Sequence, residues 1–144
     1  MKISQCMTRR VHTVGPDATI ADAARLMGEH DVGALPVANP DRLIGMITDR
    51  DIAIRAVGEG LDPETKVRSV MSDDVMYCFD TEDIEDVLAN MGDIQVRRLP
   101  VVDQDKRLVG IVSLSDLADD EGQAAGEALC QIAREGGQHS QSVQ

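Results

Sequence analysis

Shifted by 64 positions, the sequence falls on itself. Met7 lands on Met71, Val11 on Val75, Ile20 on Ile84 and Asp22 on Asp86. The match continues through Met27 and Met91, Gly28 and Gly92, Val32 and Val96, to LPV at both 35–37 and 99–101. One extra residue near Lys106 moves the offset to 65, so that RLIG at 42–45 meets RLVG at 107–110 and Asp51 meets Asp116. A duplication constrains the fold more than any local propensity, because what one copy forms the other must form too.

Each copy reads as strand, helix, strand, strand, helix. The first strand is RVHTV (10–14) or DVMYC (74–78). Apolar residues at helical spacing follow: Ile20, Ala23, Ala24 and Met27 in copy one, Ile84, Val87, Leu88 and Met91 in copy two. Thr19 with Asp22, and Asp83 with Asp86, have the form of N-caps with an acidic third residue. GALPVAN and RRLPVVD precede the β-rich segments RLIGMIT and RLVGIVS. A last helix starts near Asp49 and near Leu114, the first of these closing at Gly58. One repeat is too short to bury both its faces. The expected fold is therefore α/β: two pseudo-symmetric β-α-β-β-α repeats with sheets packed together and helices outside. Residues 1–60 and 61–120 are the repeats, forming one module, with GEGLDPETKV (58–67) joining them. Residues 121–144 are expected to form a partly helical to disordered tail.

Composition narrows the function classes. With 42% apolar and 28% charged residues, the chain reads as soluble and globular. No apolar run approaches the ~20 residues of a membrane span, and MKISQCMTRRVHTV lacks the apolar core of a signal peptide; the cytoplasm is the expected location. The net charge is −12, and residues 61–120 carry 15 acidic against 6 basic side chains. Tyr77 and Phe79 are the only aromatics. Nucleic-acid binding, which wants a basic stripe and stacking rings, is not expected. Cys6, Cys78 and Cys130, with His12, His30 and His139, show no metal-ligand spacing, so no metal and no cofactor are expected. The run DTEDIED (80–86) opens a helix, where the macrodipole favours carboxylates.

The informative motif is GMITDRD (45–51), repeated as GIVSLSD (110–116). Thr48 with Asp51, and Ser113 with Asp116, fit a capping box that needs no ligand. The same spacing also fits a nucleotide. A glycine and two apolar strand residues before the cap aim unpaired N–H groups and a hydroxyl at one spot, a seat for phosphate. An aspartate one turn on accepts from both hydroxyls of a ribose. Both readings stay open on these residues alone.

In these motifs, with ALPV, RLPVV and the CMT and VMS starts of each copy, the chain resembles a tandem pair of cystathionine β-synthase-type (CBS) domains over about residues 1–120. It is most similar to small bacterial proteins made of little else. The resemblance implies a regulatory module that binds adenosine-containing ligands in clefts between the repeats, and association into disc-like dimers. It puts Thr48 and Ser113 on phosphate and Asp51 and Asp116 on ribose. Arg97 and Arg98 fall where family members place phosphate-reaching basic residues; their other role would be to offset the acidic second repeat. Copy one departs here, with Gly33 and Ala34 at those positions and Arg50 as the nearby cation, so the two sites should differ. Backbone around Val32–Ala34 and Val96–Arg98 would border the base.

The expected function is a sensor of the AMP, ADP and ATP class, acting through dimer geometry or an unidentified protein partner. The alternative is a ligand-independent dimeric scaffold. No histidine or cysteine sits in a motif that supplies a base or nucleophile, so catalysis is not expected.

Overall fold

The computed structural model describes residues 1–118 and Ile132. They fall into two compact units. The copy-one unit holds His12–Val75 and Lys106–Leu108; the copy-two unit holds Met1–Val11, Met76–Asp105 and the described residues from Val109 on. Each unit thus takes the body of one copy and the leading segment of the other. The expected tail, 121–144, lies outside the described residues apart from Ile132.

In the copy-one unit, helix α1 (Ile20–His30) is followed by the antiparallel pair β1 (Ala34–Ala38) and β2 (Leu43–Thr48), then by the short α2 (Asp49–Asp51). Thr19 caps α1 as its sequence predicts. Its hydroxyl accepts the Asp22 N–H at 3.1 Å, and the Asp22 carboxylate accepts the Thr19 N–H at 3.2 Å. The next N–H groups, of Ile20 and Ala21, donate to the carbonyls of Thr65 and Pro63 in the connecting segment. The core gathers Val14, Ile20, Ala23, Met27, Leu35, Val37 and Ile47 with Val67 and Val70. Ala24, expected inside, is exposed; a lone methyl gains little from burial.

The first strand is shorter than expected. Residues 10–14 contribute one parallel bridge, Val14 to Val37. The Val14 N–H donates to the Pro36 carbonyl and the Val14 carbonyl accepts from Ala38. Extending this ladder backwards would need the N–H of residue 36, which proline lacks. The second helix also differs from expectation. After α2 it widens into a π turn over Ile52–Ala56, tightens into a 3-10 turn over Val57–Glu59, and stops at Gly60 rather than Gly58. Gly60 has φ +76, a conformation cheap only for glycine.

The copy-two unit contains β3 (Cys78–Phe79), α3 (Ile84–Ile94), β4 (Arg98–Val102), β5 (Leu108–Ser113) and α4 (Leu114–Ala118), in a sheet of order β3-β4-β5. Here Ile84, Val87, Leu88 and Met91 are all buried, packed with Ile3, Met7, Leu99, Val101 and Val112. The cap expected at Asp83 is not made: its side chain accepts no N–H of α3. It pairs instead with Lys2 at 3.1 Å, and the Ile84 N–H donates to the Met1 carbonyl. Glu85 and Asp86 occupy the first turn of α3, as the macrodipole favours.

The two glycines that open the repeated motif have one cause. A Cβ on Gly45 would lie 2.7 Å from the Met71 sulfur and 2.9 Å from the Ser72 carbonyl oxygen; on Gly110, 2.6 Å from the Met7 sulfur and 3.0 Å from the Thr8 carbonyl oxygen. Met46 and Ser72 exchange two backbone hydrogen bonds, and so do Thr8 and Ile111. The CMT start of copy one and the VMS start of copy two therefore each lie on the other copy's last strand, and only glycine lets the backbones approach that closely.

Candidate functional site

In the copy-one unit, the β1–β2 register sets Ala34 opposite Thr48, and the Asp49 N–H donates to the Gly33 carbonyl at 2.9 Å. Gly33, Ala34, Thr48 and Asp51 are thereby brought to one strand–helix junction. The Thr48 hydroxyl accepts the Asp51 N–H at 3.0 Å and the Asp51 carboxylate accepts the Thr48 N–H at 3.0 Å, a complete reciprocal cap. Arg55 holds the other carboxylate oxygen of Asp51 at 4.0 Å. Arg50, offered by the sequence as a substitute cation, is exposed.

Asp49 was missed at the sequence level. Its carboxylate accepts the Arg50 N–H at 2.8 Å, and one of its oxygens lies 3.2 Å from where a Cβ on Gly33 would stand. The signal was present in the offset: Asp49 falls on Leu114, so only copy one has an acid immediately after its hydroxyl residue.

The copy-two unit repeats the junction with other side chains. The Leu114 N–H donates to the Arg97 carbonyl at 2.8 Å, the counterpart of Asp49 on Gly33. Arg97 and Arg98 are exposed; Arg98 opens β4, the neighbour of the strand that ends at Ser113, and Arg97 stands just before it. The Ser113 hydroxyl is 2.9 Å from that of Ser115. Asp116 has its backbone in α4, while its side chain lies outside the described residues. Arg97, Arg98 and Ser113 thus share one junction, as Gly33, Ala34, Thr48 and Asp51 share the other.

The model of the CBS domain family matches this chain twice, over residues 3–58 and 67–120. The chain belongs to the CBS domain family. It is 44% identical over 135 residues to the CBS domain-containing protein YhcV of Bacillus subtilis, covering 92% of this chain and 96% of that one. Among solved structures, hypoxic response protein I with two coordinated zinc ions matches at TM-score 0.75 and 40% identity, over 83% of this chain and 98% of its own. The CBS protein CBSX2 in complex with AMP matches at TM-score 0.73 and 26% identity, over 85% and 96%. The α/β fold of paired repeats expected from the duplication is the fold of these CBS pairs.

Among the described residues, no three His, Cys, Asp or Glu side chains stand together as metal ligands. Burial, helped by Glu82, Cys6 and Asp80, pushes the Cys78 thiol up to about 12, so it stays a neutral core group. Tyr77 packs edge-to-face on Phe79. Among the described residues no helix is long and apolar enough to cross a membrane.

Proposed function

We propose that this CBS pair is a regulatory module that binds an adenosine nucleotide, with its phosphate held at the copy-two junction. The observation that carries this reading is the pair Arg97 and Arg98, both exposed, at the junction where the Arg97 carbonyl accepts the Leu114 N–H next to Ser113. Guanidinium groups recognise phosphate with charge-assisted bonds, and Asp116, one turn on, supplies a ribose acceptor. The AMP complex of CBSX2, a protein of the same fold, supports the choice of ligand class. At the copy-one junction the carboxylate of Asp49 beside Gly33 repels phosphate, so Thr48 and Asp51 there suit a ligand without one. The protein works in the cytoplasm as a homodimer, without a cofactor and without catalysing a reaction. Its ligand-dependent state is read by a protein partner, through dimer geometry.

One observation favours a second reading, the ligand-independent scaffold. The Thr48–Asp51 cap is complete without any ligand, which accounts for both side chains. A calorimetric titration of the full chain with AMP, ADP, ATP and adenosine separates the two. The sensor reading expects saturable AMP binding. An Arg97→Ala, Arg98→Ala variant should weaken AMP by about tenfold or more, since hydrogen bonds to charged groups contribute about 1.5–3 kcal/mol, while changing adenosine binding much less. An equal loss for both ligands would move the phosphate away from these arginines. No binding of any of the four would leave the scaffold.

A further inference from the structure

His12, on the leading segment of copy one, and His30, the last residue of α1, meet within the copy-one unit. Their imidazole rings lie face to face, with centroids 3.5 Å apart and planes 9° from parallel. Among the described residues, neither ring is held by a hydrogen bond or an ion pair, so each has the other as its specific partner. At the 64-residue offset the same two positions in copy two are Met76 and Ile94, both packed against the copy-two core. Apolar side chains thus satisfy the scaffold at this place. Copy one alone sets two nitrogen ligands there, in a sandwich that aromatic rings do not choose for packing alone.

We propose that His12 and His30 form a binding site for a divalent transition-metal ion of the nickel, copper and zinc class. Imidazole is a ligand these ions favour, whereas magnesium and calcium take oxygen. Two nitrogens on one tetrahedral ion stand about 3.3 Å apart, given metal–nitrogen distances of about 2.0–2.1 Å. The rings are already that close. Imidazole lone pairs lie in the ring planes, so the ion enters as the rings swing apart at one edge. His30 is exposed and can turn without disturbing the core, while His12 is half-buried and fixed. The surrounding charge favours a cation. Glu29 and Asp31, both exposed, flank His30 in the chain, and the end of α1 carries the negative pole of the helix dipole. Arg10, exposed two residues before His12, is the opposing charge. Water completes the coordination, since no third His, Cys, Asp or Glu joins the pair among the described residues. The bound ion ties the leading segment of copy one to the end of α1, just ahead of Val32 and Gly33 at the copy-one junction.

Calorimetric titration of the chelator-treated full chain with Ni²⁺, and with Mg²⁺ as the control, tests this site independently of any nucleotide. The parent should bind Ni²⁺ and not Mg²⁺, and Ni²⁺ should raise its thermal midpoint. The double exchange His12→Met, His30→Ile installs the pair that copy two already packs, so its circular dichroism should be unchanged. It should weaken Ni²⁺ binding about tenfold or more and abolish the thermal shift, because chelation by two linked ligands is lost. His30→Ala alters only an exposed side chain and should weaken binding as much, which keeps the test valid even if the double exchange fails to fold. His139→Ala, in the tail, should bind as the parent does. A parent that binds no Ni²⁺, or that binds Mg²⁺ equally well, overturns the proposal. So does a double exchange or a His30→Ala variant that binds as tightly as the parent, or a loss confined to His139→Ala.

Discussion

Beside Thr48 the chain sets Gly33 and the carboxylate of Asp49; beside Ser113 it sets Arg97 and Leu114. The backbone is the same at both junctions: a strand ends on a hydroxyl residue, and the next N–H donates to the carbonyl just before the neighbouring strand, at 2.9 Å or 2.8 Å. What differs is charge. Duplication has kept the backbone geometry of the junction and let the side chains that set its charge diverge. The same contrast runs through the scaffold. Helix α3 buries four large or branched side chains, whereas α1 substitutes alanine at two of the equivalent positions and leaves one exposed.

The helices give the largest expected effect. Leu88 is 0% exposed in the copy-two core, so Leu88→Ala should cost about 2–5 kcal/mol, the transfer term plus the cavity left behind. Its counterpart Ala24 is exposed, and Ala24→Ser should stay within about 0.5 kcal/mol. Urea denaturation of both variants checks this. A large loss at Ala24 would mean that copy one's helix is packed as tightly as copy two's, and the asymmetry between the copies would disappear.

The glycines should show the opposite of asymmetry. Gly45→Ala and Gly110→Ala each drive a methyl towards a methionine sulfur and a carbonyl oxygen of the other copy's leader. The sulfur can move aside, but the carbonyl is tied into paired backbone hydrogen bonds. Each substitution should therefore cost about 1–3 kcal/mol by overpacking. Relieving the sulfur alone, with Met71→Ala or Met7→Ala, should not restore stability. Unequal losses would show that the exchanged leaders are not equivalent.

These contacts also mark what could be read from the sequence. The repeat, its helices at Ile20 and Ile84, and the Thr19 and Thr48 caps follow from spacing, since periodicity and capping are local. Gly45 and Gly110 were visible as a repeated oddity, but their cause lies in Met71 and Met7, 26 and 103 residues away in the chain. No local rule reaches that far. The same holds for Asp83. Its sequence looks like a cap, yet the Met1 carbonyl meets the Ile84 N–H and Lys2 takes the carboxylate. The missing backward extension of the first strand was legible in principle from Pro36, once its pairing with Val14 was known. At the site, alignment of the copies brought together Thr48, Asp51, Gly33 and Ala34. It passed over Asp49, whose importance comes from its approach to Gly33 rather than from any motif.

The caps give the smallest effect and the sharpest contrast. Thr19→Ala removes a reciprocal cap and should cost about 1 kcal/mol. Asp83→Ala removes only an exposed ion pair and should cost less, roughly 0–1 kcal/mol. The difference should also depend on pH. The backbone N–H of Thr19, then its hydroxyl and Arg25, hold the Asp22 carboxyl below its ordinary 3.8. A carboxyl with a lowered folded value contributes stability that is present above 3.8 and lost as pH falls through the lower folded value. Asp22→Asn should therefore be less stable than the parent near neutral pH and converge on it below that range, as followed by denaturation midpoints against pH. A gap that persisted undiminished into strong acid would mean that Asp22 serves α1 by shape rather than charge, and the two helix starts would then differ in packing alone.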